Sequence, residues 1–263
     1  MSAPITTTVD VNGHPCRVWT KGQGPKLGFL AGLGGLPRWL PFLDRLAETH
    51  TVIAPSLPGY PGATGHTELD THLDWVLAVR QLIDKAGLAG ADLVGASVGG
   101  AFAAEMAAIF PGHVRRLALI APFGLFDDNE PAGDPWAQRK EVLPGVMCAD
   151  GEKWNELVAP PEGANSVEWP IEMTRASEAA ARAFWPLGNT GLQKRLGLIA
   201  SPTLILWGDG DALLPPSYAQ KFATGISGGI NEATRVEIIA GAGHLAYLDQ
   251  PETVARAILR HFS

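Results

Sequence analysis

The sequence predicts an α/β protein with a mostly parallel sheet, helices on both faces and one helical insertion. Three observations predict it. Short apolar runs alternate with amphipathic stretches over most of the chain. The alternation lapses once, between about residues 123 and 195. The length of 263 residues suits one such domain with its insertion and a large core.

Taken in order, Thr6 to Val11 and Cys16 to Thr20 read as a hairpin turning on Asn12-Gly13. Lys26 to Ala31 is a short strand ending in Gly-Leu-Gly-Gly. Trp39, Phe42, Leu43 and Leu46 then recur at helical spacing. Thr51 to Ala54 is the next strand. A helix is expected from about Thr67 to Ala86, with Leu73, Val76, Val79 and Ile83 on its inner face. Asp92 to Gly95 reads as a strand, Val98 to Phe110 as a helix stopped by Pro111-Gly112, and Val114 to Ile120 as a strand. The insertion follows, rich in Pro, Trp and acidic residues, and it carries four of the eight tryptophans: Trp136, Trp154, Trp169 and Trp185. The alternation resumes with a strand at Thr203 to Trp207, a helix at Ser217 to Phe222 and a strand at Arg235 to Ile239. A last helix opens at Pro251, a favoured first-turn residue. Its inner face holds Val254, Ala257, Ile258 and either His261 or Phe262. The expected division is a core of residues 1–122 and 197–263 around an insertion of residues 123–196.

The formal charge is −7, with no basic block. That argues against nucleic acid as a partner, because neutralising phosphates needs clustered Lys and Arg. The amino terminus has neither the basic nor the apolar region of a secretory signal. The longest apolar stretch, Leu117 to Phe126, contains Pro122 and Gly124 and is too short to span a bilayer. Cys16 and Cys148 stand far apart with no His or Cys at ligand spacing. They read as reduced structural thiols. A cytoplasmic protein without a metal is expected.

Residues 95–99, Gly-Ala-Ser-Val-Gly, form a G-x-S-x-G motif between a strand and a helix. That context is what a nucleophile elbow requires. The serine occupies a tight turn that lifts its hydroxyl out of the sheet, and the residues two away on each side must be small. Here they are Gly95 and Gly99.

A serine hydroxyl needs a base to become a nucleophile. Around such an elbow the partners follow in the order serine, acid, histidine. His244 and His261 come late enough; His261 sits in the last helix, whereas His244 follows a Gly-rich loop after a strand. His244 is therefore the expected base. The acid should follow an earlier strand, and Gly208-Asp209-Gly210-Asp211 offers two carboxylates. Asp211, where the chain turns back, is the expected acid. Asp209 reads as a turn-former, and Asp127 or Asp128 is the remaining alternative. The expected oxyanion donors are the backbone N–H groups of Val98 and of Leu33, in Ala31-Gly32-Leu33-Gly34-Gly35.

Taken together, Gly-Ala-Ser-Val-Gly-Gly (95–100), Pro-Thr-Leu-Ile-Leu-Trp-Gly-Asp-Gly-Asp (202–211), Gly-Ala-Gly-His (241–244) and Pro-Ser-Leu-Pro-Gly-Tyr-Pro-Gly (55–62) resemble the α/β-hydrolase superfamily. The likeness is to its cap-bearing branch of esterases, lactonases and carbon–carbon bond hydrolases, and it spans nearly the whole chain outside the insertion. It implies an eight-stranded sheet, an insertion that serves as a cap, and no cofactor. Serine at the elbow sets the chain apart from relatives that use aspartate there, the haloalkane dehalogenases and epoxide hydrolases. Two departures stand out. Ala31-Gly32 replaces the common His-Gly, and Ser56-Leu57 replaces the common Asp before the Pro-Gly turn.

The expected reaction is hydrolysis of a carboxylic ester or lactone of medium size and rather apolar character. The cap-side candidates for its pocket are Trp39, Phe123, Trp136, Met147, Trp154 and Trp185, with Phe126, Trp169 and Met173 beside them. A carbon–carbon bond hydrolase acting on a diketone acid is the first alternative; it would need Arg139, Arg175 or Arg182 to hold a carboxylate. A hydrolase-like ligand-binding receptor is the second. A small ester-like molecule is the expected partner, and the chain is read as monomer or homodimer.

Overall fold

The computed structural model describes residues 3–185, 190–228 and 233–263. Strands β1 (Ile5–Val11) and β2 (His14–Lys21) form the expected hairpin. Its turn residues Asn12 and Gly13 both take positive φ, 53° and 85°, as a tight hairpin turn demands. Then come β3 (Lys26–Leu30), α1 (Pro41–Ala47), β4 (Thr51–Pro55), α2 (His72–Lys85), β5 (Ala91–Ala96), α3 (Ser97–Ile109) and β6 (Val114–Ile120). The segment between β6 and the next strand holds α4 (Leu143–Met147), α5 (Gly151–Val158) and α6 (Glu168–Phe184), with no strand among the described residues. The chain ends with β7 (Thr203–Gly208), α7 (Tyr218–Ser227), β8 (Thr234–Ile239), α8 (Ala246–Asp249) and α9 (Pro251–His261). No helix among the described residues is long and apolar enough to cross a membrane.

The eight strands form one sheet in the order β1-β2-β4-β3-β5-β6-β7-β8. β2 runs antiparallel to β1 and β4, and every other pair is parallel. β3 lies between β4 and β5, so the strand order reverses there. Open α/β sheets bind ligands beyond the carboxyl ends of strands at such a point. The carboxyl ends of β3 and β5 carry the Ala31–Gly35 loop and Ser97.

Helix α3 is buried from Ser97 to Ala108. Its run of small residues lets it lie close under the sheet, and two glycines set how close. A Cβ at Gly95 would come within 2.5 Å of the Gly99 carbonyl, and one at Gly99 within 2.3 Å of the Leu30 carbonyl. Neither position has room for a side chain.

Two expectations about helices change. The helix expected over Thr67–Ala86 is two pieces: a 3₁₀ turn at His66–Glu68 and then α2 from His72. The break is chemical. Thr71 caps α2, its hydroxyl accepting from Asp74 N while its own N–H donates to the Asp74 carboxylate at 2.7 Å. The inner face of α2 is Trp75, Val76, Val79, Leu82 and Ile83, and Leu73 is 59% exposed. At about 100° per residue Leu73 falls on the far side from that stripe. The short helix α8, directly after His244, was not expected. In α9 it is Phe262 that completes the inner face, while His261 Nε2 bonds the carbonyls of Leu117 and Pro202.

Candidate active site

Ser97 stands at the first residue of α3 with φ of 53°, a strained backbone for a residue with a Cβ. The turn is held from outside. Phe123 N–H donates to the Ser97 carbonyl at 3.1 Å, and Pro122 packs against Gly100.

The β7 and β8 loops bring the other side chains to it. His244 Nε2 lies 2.8 Å from Ser97 Oγ, and His244 Nδ1 lies 3.0 Å from Asp211 Oδ2. An ionised carboxylate only accepts, so Nδ1–H donates to Asp211 and leaves Nε2 to accept from the Ser97 hydroxyl. The second Asp211 oxygen accepts the amides of Leu213 and Leu214, both at 2.9 Å, which fixes the carboxylate plane. Asp209 does a different job: its carboxylate accepts Gly241 N–H at 2.9 Å and ties the acid loop to the histidine loop. Asp127 is engaged elsewhere, with Lys221 and Asn129, and its carboxyl sits below the usual range through those bonds. Asp128 lines a groove beside Lys221 rather than this site.

The Ala31–Gly35 loop closes over the serine. A Cβ at Gly32 would fall 2.9 Å from Ser97 Cβ, so the peptide leading to Leu33 passes directly beside the nucleophile. Val98 N–H belongs to the first turn of α3 and has no intrahelical acceptor. Among the described residues neither it nor Leu33 N–H donates to a backbone carbonyl.

A family model described as alpha/beta hydrolase fold matches residues 28–251. The chain belongs to this family. Over 96% of its length this α/β hydrolase is 28% identical to a dihydrolipoyllysine-residue acetyltransferase component of an acetoin cleaving system from Cupriavidus necator, covering 67% of that protein. It is 25% identical to monoacylglycerol lipase ABHD6 from Homo sapiens, over 90% of this chain and 75% of that one. Among solved structures it superposes on 2-hydroxy-6-oxo-6-phenylhexa-2,4-dienoate hydrolase from Rhodococcus sp. strain RHA1 with a TM-score of 0.77, at 18% identity and 98% coverage of each chain. A serine hydrolase involved in carbazole degradation gives 0.76 at 20% identity, over 99% of each chain. These last two are likenesses of fold.

The α/β hydrolase has a cavity of about 520 Å³ among the helices of its helical segment. Its floor is Leu33 and Gly34, the peptides that follow the one beside Ser97. Of the pocket residues expected from sequence, Trp136 and Trp154 stand on its wall, with Trp169 and Met173. Two indoles are pinned: Trp136 Nε1–H donates to Ser177 O and Trp169 Nε1–H to Val158 O. Phe123 is buried beside His244 instead, its ring 5.6 Å from the imidazole, and Met147 is buried with its carbonyl on Leu245 N–H.

Two of the expected pocket residues lie away from this cavity. Trp39 faces a separate groove with Arg38 and Tyr247 and donates to Asp44. It precedes α1 rather than joining that helix's buried face of Phe42, Leu43 and Leu46. Trp185 ends α6 at the surface, 57% exposed, with its N–H on Asp134. Among the described residues, Lys140 is the one charged side chain on the cavity wall. Arg175 and Arg182 turn away, to Gly59 O and Glu172 and to Thr67 O and Asp70.

Two further residues shape the site, and sequence reasoning missed the second. Gly32 touches Ser97. Asp249, five residues past His244, accepts the amide of Gly243. Gly32 had a signal, the absence of any side chain beside the oxyanion loop. Asp249 had none, since a carboxylate ahead of a helix-opening proline reads as a surface residue.

Proposed function

We propose that this chain is a carboxylic-ester hydrolase that works through an acyl-enzyme on Ser97, with His244 as base and Asp211 as its orienting acid. The observation that carries the reading is the continuous hydrogen-bonded line from Ser97 Oγ through both imidazole nitrogens to Asp211, at 2.8 and 3.0 Å.

Ser97 Oγ attacks the ester carbonyl carbon as His244 Nε2 takes its proton. The carbonyl oxygen becomes an oxyanion and accepts from the amides of Leu33 and Val98. The C–O bond breaks, and the imidazolium returns its proton to the alcohol that leaves. Water then gives its proton to His244 and attacks the acyl carbon, and collapse restores Ser97. Asp211 keeps the imidazole in the needed tautomer and stabilises its charged form. The scheme needs neither metal nor organic cofactor.

Residues 123–196 serve as a cap whose aromatic cavity takes the apolar part of a medium-sized ester. Arg175 and Arg182 are engaged elsewhere, so the carbon–carbon alternative would have to use Lys140, on the cavity wall, as its carboxylate partner. A second reading follows from the acetyltransferase relative: the same acyl-enzyme, discharged to a thiol or alcohol instead of water.

The test is hydrolysis of a chain-length series of p-nitrophenyl esters by wild type and Ser97→Ala in parallel, with and without a thiol acceptor. Turnover by wild type alone supports the esterase, and its optimum sizes the cavity. Thioester product in place of acid supports the transferase. A Ser97 that fails to react with a fluorophosphonate overturns both.

A further inference from the structure

The loop that carries His244 is bonded on both sides to the junction of α4 and α5. Before the histidine, Gly243 N–H donates to Asp249 Oδ2 at 2.8 Å. The same oxygen accepts Ala149 N–H at 2.9 Å, and Asp249 Oδ1 accepts Asp150 N–H at 3.1 Å. After the histidine, Leu245 N–H donates to the Met147 carbonyl at 2.8 Å. The surfaces also meet without a gap: a Cβ at Gly243 would lie 2.6 Å from Ala149 N and 2.8 Å from the Cys148 carbonyl carbon.

Asp150 is the N-cap of α5, its side chain accepting Glu152 N–H. One turn into that helix, Trp154 presses on the loop that carries Leu33. A Cβ at Gly34 would lie 3.1 Å from the Trp154 ring. So α5 starts on the histidine loop and leans on the oxyanion loop, and one carboxylate fastens its beginning.

We infer that Asp249 is a positioning residue: it clasps the Gly243 amide to the first residues of α5, so that α5 holds His244 and the Leu33 loop in register with each other. The proposal rests on the esterase reading above for its catalytic consequence, but not for its structural one. Three amides converging on one carboxylate are a stronger fastening than an exposed ion pair, because charge-assisted bonds to backbone N–H are short and directional. Misplacement of a catalytic group by about 1 Å costs roughly 100-fold in rate. The clasp therefore acts on kcat, whereas the cavity wall, which Asp249 does not join, governs KM.

The experiment compares wild type, Asp249→Asn and Asp249→Ala. Asparagine keeps one acceptor but turns an N–H towards a donor amide; alanine removes both acceptors. The expected result is kcat down about 10-fold in Asp249→Asn and about 100-fold in Asp249→Ala, KM within about twofold of wild type, and Ser97 labelling by a fluorophosphonate slowed in parallel with kcat. Unchanged kcat and labelling in a folded variant overturn the clasp. A fall in kcat/KM carried by KM alone overturns it too. Wild type that neither turns over esters nor labels overturns the esterase reading instead. Hydrogen exchange on the unmutated protein then tests the clasp by itself, as it does if the variants fail to fold. The amides of Gly243, Leu245, Ala149 and Asp150 are expected to exchange together and slowly. Fast exchange at these four, beside protected α3 amides, overturns it.

Discussion

At the scale of single residues the site turns on what each position forbids. Gly99 faces the Leu30 carbonyl with no room for a methyl group. Gly99→Ala is expected to destabilise by about 2 kcal/mol through forced backbone movement, read as a lowered urea midpoint at unchanged m. Ser97→Ala and His244→Ala are each expected to lower kcat roughly 10⁵-fold, and the double variant hardly further, because the pair acts as a unit. Asp211→Asn is expected to cost roughly 10⁴-fold, through the wrong imidazole tautomer. If Asp211→Asn keeps most activity in ester hydrolysis while Asp127→Asn loses it, the acid assignment fails. These positions were legible because the elbow imposes spacing: small residues two away from the serine, and an order of partners along the chain. The tryptophans were not legible in the same way. Trp154 and Trp185 both read as large apolar residues in one helical insertion. Only the packing puts the first against Gly34 and leaves the second at the surface.

At the scale of elements the strands were readable, because a strand covered on both faces is a continuous apolar run; β6 reads Leu117 to Ile120 without a polar residue. The split between residues 66 and 72 was hidden, because Thr71 and Asp74 look like ordinary helix surface until their bonds are seen. Between elements, Glu105 carries a buried electrostatic commitment. Its side chain on α3 is 1% exposed and meets His72 at the start of α2 and Arg195 just before β7. Burial raises its carboxyl, but the bonds from His72 and Arg195, with their charges, outweigh it and leave the group below its usual range. The folded value therefore lies under the unfolded one, about 4.3. The stability that follows is complete above the unfolded value and lost as pH falls through it towards the folded value. Glu105→Gln is expected to cost about 2 kcal/mol at pH 6. That difference should shrink as the pH is lowered towards 3, measured by urea unfolding at both ends. Parallel pH curves for the two proteins would show that Glu105 does not carry this linkage.

At the scale of the whole molecule, Ser97 and His244 are both 0% exposed. A substrate reaches Ser97 Oγ only if some of the residues packed over it move, and the two sides of the helical segment differ in how firmly they are held. The α5 side presents Trp154 and Leu157, buried to 7% and 1% exposure, together with the Asp249 bonds. The α6 side meets the core through the small faces of Ala176, Ala179, Ala180 and Ala183, whose methyl groups each bury little area, and through a single aromatic at its end, Phe184, against Phe102 and Phe123. Its polar contacts to the 59–70 loop are part-exposed. Glu172 accepts Gly62 N–H, Arg175 reaches Gly59 O, and Arg182 reaches Thr67 O and Asp70. Pairs of that kind contribute about 0–1 kcal/mol each. Opening should therefore run along the α6 seam. Removing three of these contacts in the double variant Arg175→Ala, Arg182→Ala lowers the opening cost by about 1 kcal/mol. Ser97 should then react with a long-chain fluorophosphonate about fivefold faster than in wild type, since 1.4 kcal/mol is tenfold. A short-chain reagent, which needs a smaller opening, should gain less. Equal or slower labelling by both reagents would place the entrance away from α6, and the α5 side would have to be the part that moves.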